Sequence, residues 1–198
     1  MKTNINKLSG FTLIEVMIVI VIVGILASFT GRQFFGFTEG AKATALYETT
    51  NQIDNEIKSL GSLHGVGPSA AKGGVSKSGN SMLDVLAYGE EFVSDVYATR
   101  YKYSPHTLIS GLKATKSPTD GSAGQYSVQG MPISIGTSTD KNEYIVKNVE
   151  AVVLASYINK YAENETFIEG QSGGTNGGKL AWTYSSGLYD VTIVHSFN

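Results

Sequence analysis

The sequence predicts an α+β chain in which a long N-terminal helix, membrane-spanning in its first half, packs through its second half on a small antiparallel-sheet head. Three observations carry this expectation. Residues 10–29, GFTLIEVMIVIVIVGILASF, hold one charged side chain, Glu15, in an otherwise apolar run. Residues 41–60 then change to the spacing of an amphipathic helix. Residues 180–197 alternate apolar and polar positions on either side of a Ser-Ser-Gly turn.

Composition sets the outer bounds. The 198 residues are 41% hydrophobic and 16% charged, enough for one domain of ordinary size with one appended segment. A net charge of −2 with no basic block gives no electrostatic signal for nucleic acid or anionic lipid. Cysteine is absent, which excludes a disulfide framework, a thiolate zinc site and a cysteine nucleophile. With 23 glycines against 4 prolines, irregular loops are expected around a modest core.

Residues 1–10, MKTNINKLSG, carry Lys2 and Lys7 and no acid, and read as a positive leader held on the cytoplasmic side. The apolar segment 11–30 follows. From Phe11 to Phe29 it would form about 28 Å of helix at ~1.5 Å per residue, close to the hydrocarbon thickness of a bilayer. An ordinary secretory signal is cut after its apolar region. Here only Ala27-Ser28 offers a weak downstream site, whereas Gly10 stands upstream. A cut at Gly10 would keep the apolar helix and place a new amine on Phe11. That amine is one helical turn from Glu15, whose charge is costly inside a membrane and needs a cation. A plain signal anchor with Glu15 snorkelling to the interface is the simpler alternative.

The amphipathic continuation, residues 31–60, places Ala43, Leu46, Ile53, Ile57 and Leu60 on one face, with Glu48, Asp54, Glu56 and Lys58 mostly elsewhere. Gly61 gives a stop, and a helix from Phe11 to Leu60 would be about 75 Å long. Gly31, Gly36 and Gly40 weaken the join, each by about 1 kcal/mol relative to alanine. Residues 61–198 form the head. Residues 61–80 read as a surface loop. Asn80 or Ser81 caps a second helix carrying Met82, Leu83, Leu86, Val93, Val96 and Tyr97, with Gly89 against its middle. Residues 104–124 read as loop with short strands at best. Strands follow at Tyr126–Val128 and Pro132–Ile135, and then a third helix over Asn142–Tyr161. A terminal hairpin pairs Leu180–Tyr184 with Leu188–Phe197, placing Tyr189, Val191, Ile193, His195 and Phe197 on one side.

The stretch Gly10-Phe11-Thr12-Leu13-Ile14-Glu15, followed by an apolar helix, closely resembles the class III signal of type IV prepilins and type II secretion pseudopilins. The resemblance covers residues 7–30, and beyond residue 60 it is architectural only. It implies a pilin-like fold and cleavage between Gly10 and Phe11 by a prepilin peptidase, which also methylates the Phe11 amine. It implies that Glu15 guides self-assembly into a filament served by a pilus or secretion assembly machinery. It further implies an inner-membrane stage before assembly, an extracellular filament after it, and no cofactor. Pilins usually close a C-terminal loop with a disulfide, which this chain lacks.

Several motifs compete with a structural role. Gly170-Gln171-Ser172-Gly173-Gly174 fits a G-x-S-x-G elbow, with Asp190 and His195 following in hydrolase order. The glycines after Ser172 will not start the helix an elbow needs, and strand alternation puts Asp190 and His195 on opposite faces. Gly173 to Lys179 nearly matches a P-loop, but Leu180 stands where a magnesium-binding hydroxyl belongs. His64, His106 and His195 lack metal-ligand spacing, and Asp120, Asp140 and Asp190 lack the alternation of a calcium loop. Asn164-Glu165-Thr166 is a chance sequon.

Overall fold

The computed structural model describes residues 11–64, 75–101, 109, 111–136, 138, 140–162, 165–175 and 177–196, with side chains omitted at 29–37, 63–64 and 100–101. The chain divides into two compact units, Met1–Thr38 and Glu39–Asn198. Helix α1, Leu13–His64, contributes its first part to one unit and its second part to the other.

In the first unit the α1 backbone is helical, and its large apolar side chains from Phe11 to Leu26 are all more than half exposed. No helix among the described residues is long and apolar enough to cross a membrane. The side chains of residues 29 and 30, at the end of the expected span, lie outside those described. The glycine-containing stretch 31–40 remains helical in its backbone.

The second unit is built on a seven-stranded, wholly antiparallel sheet. Its strands are β1 Leu112–Lys116, β2 Gln125–Val128, β3 Met131–Ile135, β4 Lys141–Val149, β5 Gly173–Gly174, β6 Leu180–Ser185 and β7 Leu188–Ser196. They lie in the order β1-β2-β3-β4-β7-β6-β5. Chain neighbours therefore pair, except that β7 returns to lie beside β4. Two tight hairpins set register. Gln129-Gly130 and Ser186-Gly187 all have positive φ, the geometry of a turn whose twist matches the strands it joins.

One sheet face supplies Tyr126, Val128, Met131, Ile133, Tyr144, Val146, Tyr189, Val191 and Ile193 to the core. Ala43, Leu46, Ile53, Ile57 and Leu60 of α1 join the same core, as the periodicity predicts. Helices α2 (Met82–Tyr88) and α4 (Ala151–Tyr161) add Leu83, Val85 and Leu86, and Val153, Leu154 and Ile158.

Three expectations are corrected. The helix predicted over 142–161 is strand β4 followed by α4, separated at Glu150. Ile145, Val149 and Val153 sit four apart and imitate a helical stripe. The strand instead points Asn142, Tyr144 and Val146 inward by twos, and a bulge at Asn148 (φ 59°) brings Val149 inward as well. The helix predicted around residues 81–97 is three pieces: α2, a 3₁₀ turn Gly89–Phe92, and α3 Asp95–Tyr101. Gly89 adopts φ 78°, and Val93 leaves the helix to bridge Ser76. α1 runs through Gly61 to His64, with Gly61 buried, so packing overrides the glycine's poor helix propensity. In the stretch 104–124, expected as loop with short strands at best, residues 112–116 form the short edge strand β1. Strands β2, β3 and the β6–β7 hairpin lie where the alternation places them.

The polar face assigned to α1 is corrected at one residue. Asp54 is only 2% exposed. Lys58, one turn on, lies 2.7 Å from its carboxylate. Asn142 Nδ2 donates to it at 2.8 Å and the Tyr144 hydroxyl at 3.1 Å, both from β4. His195 Nδ1 of β7 faces it at 3.5 Å. Burial alone would push this carboxyl up, but the bonds from His195, Lys58 and Asn142 outweigh it and hold Asp54 well below the usual carboxylate range. Burial, reinforced by the Asp54 charge, pushes the Tyr144 phenol up.

A second buried carboxylate, Asp84 in α2, is fully enclosed. It accepts from Ser81 N at 2.7 Å, Gly124 N at 3.0 Å, the Tyr126 hydroxyl at 2.5 Å and Asn80 Nδ2 at 3.2 Å. It fastens the start of α2 to the loop that enters β2.

Because the Asp54 carboxyl is depressed in the folded state, its stabilisation is present above the ordinary carboxylate pKa of ~3.9 and is lost as pH falls below it. In detergent-solubilised full-length chain, Asp54→Asn is expected to lower unfolding free energy by about 2–3 kcal/mol at pH 7 and to flatten the loss of stability below pH ~4. Denaturant titration followed by Trp182, the single tryptophan and 5% exposed, measures both effects. Tyr126→Phe, which leaves a buried Asp84 oxygen short of a donor, is expected to cost about 1–3 kcal/mol in the same assay.

Candidate functional site

Gly10, the expected cleavage position, lies outside the described residues. Phe11 and Thr12 precede the first helical turn, and Phe11 is 88% exposed. The first turns of a helix leave backbone N–H groups without intrahelical partners, and those groups favour negative charge. Here Thr12 and Glu15 close them reciprocally. The Glu15 carboxylate accepts from Thr12 N at 2.8 Å and from the Thr12 hydroxyl at 2.9 Å, while Glu15 N approaches Thr12 Oγ1 at 3.4 Å. This is a capping box, T-x-x-E.

The expected partner of Glu15 is an amine on Phe11; the structure gives it Thr12 instead, at the T-x-x-E spacing that signals a capping box. Glu15 therefore takes its donors from Thr12, within its own helix start. Farther along, the Ser28 hydroxyl donates to the Ile25 carbonyl at 2.7 Å, keeping that polar group inside the helix. The result is a helix start with a carboxylate at its tip and an exposed apolar surface behind it.

The competing catalytic residues are not brought together. Ser172 is exposed, and its hydroxyl accepts from Tyr184 N at 2.9 Å, which tethers the loop to β6. His195 faces Asp54 on the core side of β7, whereas Asp190 is exposed on the other side. The near P-loop is split between β5, Gly173–Gly174, and the approach to β6, so no helix follows its lysine. Added Cβ atoms at Gly173 would meet the Trp182 ring at 2.6 Å, so this glycine serves close packing of β5 on β6. Asp120 pairs with Lys77 at 3.6 Å, and among the described residues no His, Cys, Asp or Glu group is arranged to hold a metal ion. His106 and Asn164 lie outside the described residues, as does the side chain of His64.

Comparison with known proteins agrees with the N-terminal geometry. Residues 5–31 match the family described as the prokaryotic N-terminal methylation motif. No curated protein matches the chain, and no solved structure does. The match spans Gly10, Phe11, the Thr12–Glu15 cap and the exposed apolar turns, and it makes this segment prepilin-like, similar to the start of type IV pilin and pseudopilin precursors.

Proposed function

We propose that the chain is a structural subunit of a type IV pilus, made as a precursor and polymerised through its N-terminal helix. The observation that carries this reading is the methylation motif over residues 5–31, coinciding with a capped helix whose apolar side chains are left exposed. Exposed contiguous apolar surface calls for lipid or a protein partner. In this reading it faces the inner membrane before assembly and neighbouring copies of the same helix in the filament afterwards.

The proposed sequence of events follows from charge. The leader, with Lys2 and Lys7, stays cytoplasmic. A prepilin peptidase cuts between Gly10 and Phe11 and methylates the new amine. Until then the Glu15 carboxylate is satisfied by Thr12, which lowers the cost of keeping it near lipid. Once freed, the Phe11 amine supplies a full positive charge, in the same chain or an adjacent one. A charged hydrogen bond of this kind is stronger than the neutral donors of Thr12. Glu15 thereby aligns an incoming subunit with the growing filament, delivered by the pilus assembly machinery. Residues 39–198 supply the head, a structural rather than catalytic unit.

Mass spectrometry of the N-terminal peptide from sheared extracellular material and from membranes is the direct test. A methylated Phe11 start is expected in the sheared fraction. The same start confined to membranes would instead favour a pseudopilin of a secretion system, and an intact or differently cut leader would overturn the reading. Gly10→Val is expected to accumulate uncut precursor, visible as a larger band on immunoblots. Glu15→Gln keeps an acceptor for the Thr12 cap but removes the charge. It is expected to be processed normally yet yield few filaments by electron microscopy, as Glu15→Ala should; normal filaments from both variants would refute the assembly role.

A further inference from the structure

The second unit contains an open cleft of about 620 Å³ bordered by the second part of α1, helix α4, the approach to β6, and the end of β7. One side is aromatic. Tyr47 and Tyr161 stack with ring centres 3.8 Å apart, and Tyr157 meets them edge-on and tilted, at 6.2 and 5.3 Å. On the other side are Lys58, Lys179 and His195.

The polar groups of this cleft fall into two sets. Lys58 and His195 are engaged by Asp54. Tyr157, Asn51 and Lys179 form no side-chain hydrogen bond or ion pair with the described residues. Tyr157 is the telling member, because it is only 6% exposed and burial pushes its phenol up, so the hydroxyl stays protonated and able to donate. Buried polar side chains without a partner are uncommon, and a cleft that gathers one with a free amide and a free ammonium is suited to a polar ligand.

We infer that this cleft binds an acidic sugar residue of the uronic acid type. Tyr47 and Tyr161 cover one face of each other, so the sugar's ring C–H groups would lie against the outer side of the stacked pair, where Tyr47 is 37% exposed. Its hydroxyls match Tyr157 and Asn51, each able to donate and accept. Its carboxylate matches Lys179, a mobile point charge on the exposed rim. Glu165 also borders the cleft and has an interaction partner of its own, and Lys58 is held by Asp54, so the match to the ligand carboxylate rests on Lys179. Every residue involved belongs to the second unit, so the inference stands apart from processing and filament assembly.

The test is ligand-observed NMR on the full-length chain in detergent micelles, titrated with D-glucuronate, D-glucose and acetate. Glucuronate is expected to bind with a Kd on the order of millimolar, and glucose and acetate at least about tenfold more weakly. Tyr157→Phe, which retains the packed ring, should weaken glucuronate about tenfold. Lys179→Met, a change on the exposed rim, should make glucuronate no better than glucose; unaltered Trp182 fluorescence would show both variants folded. Acetate binding as tightly as glucuronate would reduce the site to a simple anion contact and overturn the inference. So would glucose binding equally well to the unmodified chain, an absence of glucuronate binding, or glucuronate binding indifferent to both substitutions.

Discussion

The Asp54 carboxylate is the constraint on which the second unit depends. Apolar contacts between a helix and a sheet are not directional, and by themselves they allow the helix to slide or rotate. A buried charge does not, because each of its oxygens must be met by a donor at a definite place. Asp54 is met from its own helix by Lys58, from β4 by Asn142 and Tyr144, and from β7 by His195. Those two strands join the β1–β4 half of the sheet to the β5–β7 half, with Tyr144 opposite Ile193 and Asn142 opposite His195. One carboxylate thus fixes where the helix lies along the sheet and holds the last strand beside the fourth. Asp84 does equivalent work at the other end of the sheet, joining the start of α2 to the turn before β2.

The two units of the chain manage polar and apolar groups in opposite ways. Residues 39–198 bury their apolar stripe and satisfy their buried carboxylates internally. Over residues 11–28 the N-terminal unit bonds Thr12, Glu15 and Ser28 within its own helix and leaves its large apolar side chains exposed. Over those residues the polar side chains find partners within the helix while the apolar ones remain unburied. That combination suits an element that moves between lipid and protein surroundings, because neither transfer exposes a new backbone or side-chain polar group.

Legibility in the sequence followed the range of the interaction. The α1 stripe, strands β2 and β3, and the terminal hairpin as far as Ser196 are legible in the sequence because period and turn residues are local properties. Residues 142–149 carry an ambiguous local signal, because Ile145 and Val149 satisfy a period of four as well as they satisfy a bulged strand. The break at Gly89 was signalled by the glycine, but the path after it depends on Ser76 pairing with Val93. The Asp54 site was hidden for a different reason: a single acid among helix polar positions looks solvated, and its partners stand 88 and 90 positions away. The tyrosine cleft was equally invisible, since it joins α1, α4 and β7 only when they pack.

The sequence by itself determined the N-terminal character of this protein. The glycine, the aromatic, the T-x-x-E cap and the apolar run lie within consecutive residues, so their chemistry is set by spacing along one helix. It likewise determined which face of α1 would be buried. Tertiary structure alone decided that the sheet would have seven strands, that β7 would return to β4, and that Asp54 and Asp84 would be enclosed. The reason is physical: a helix cap or a hydrophobic stripe is satisfied by neighbours a turn away, whereas a buried carboxylate takes its donors from whichever distant strands the packed core brings within hydrogen-bond reach.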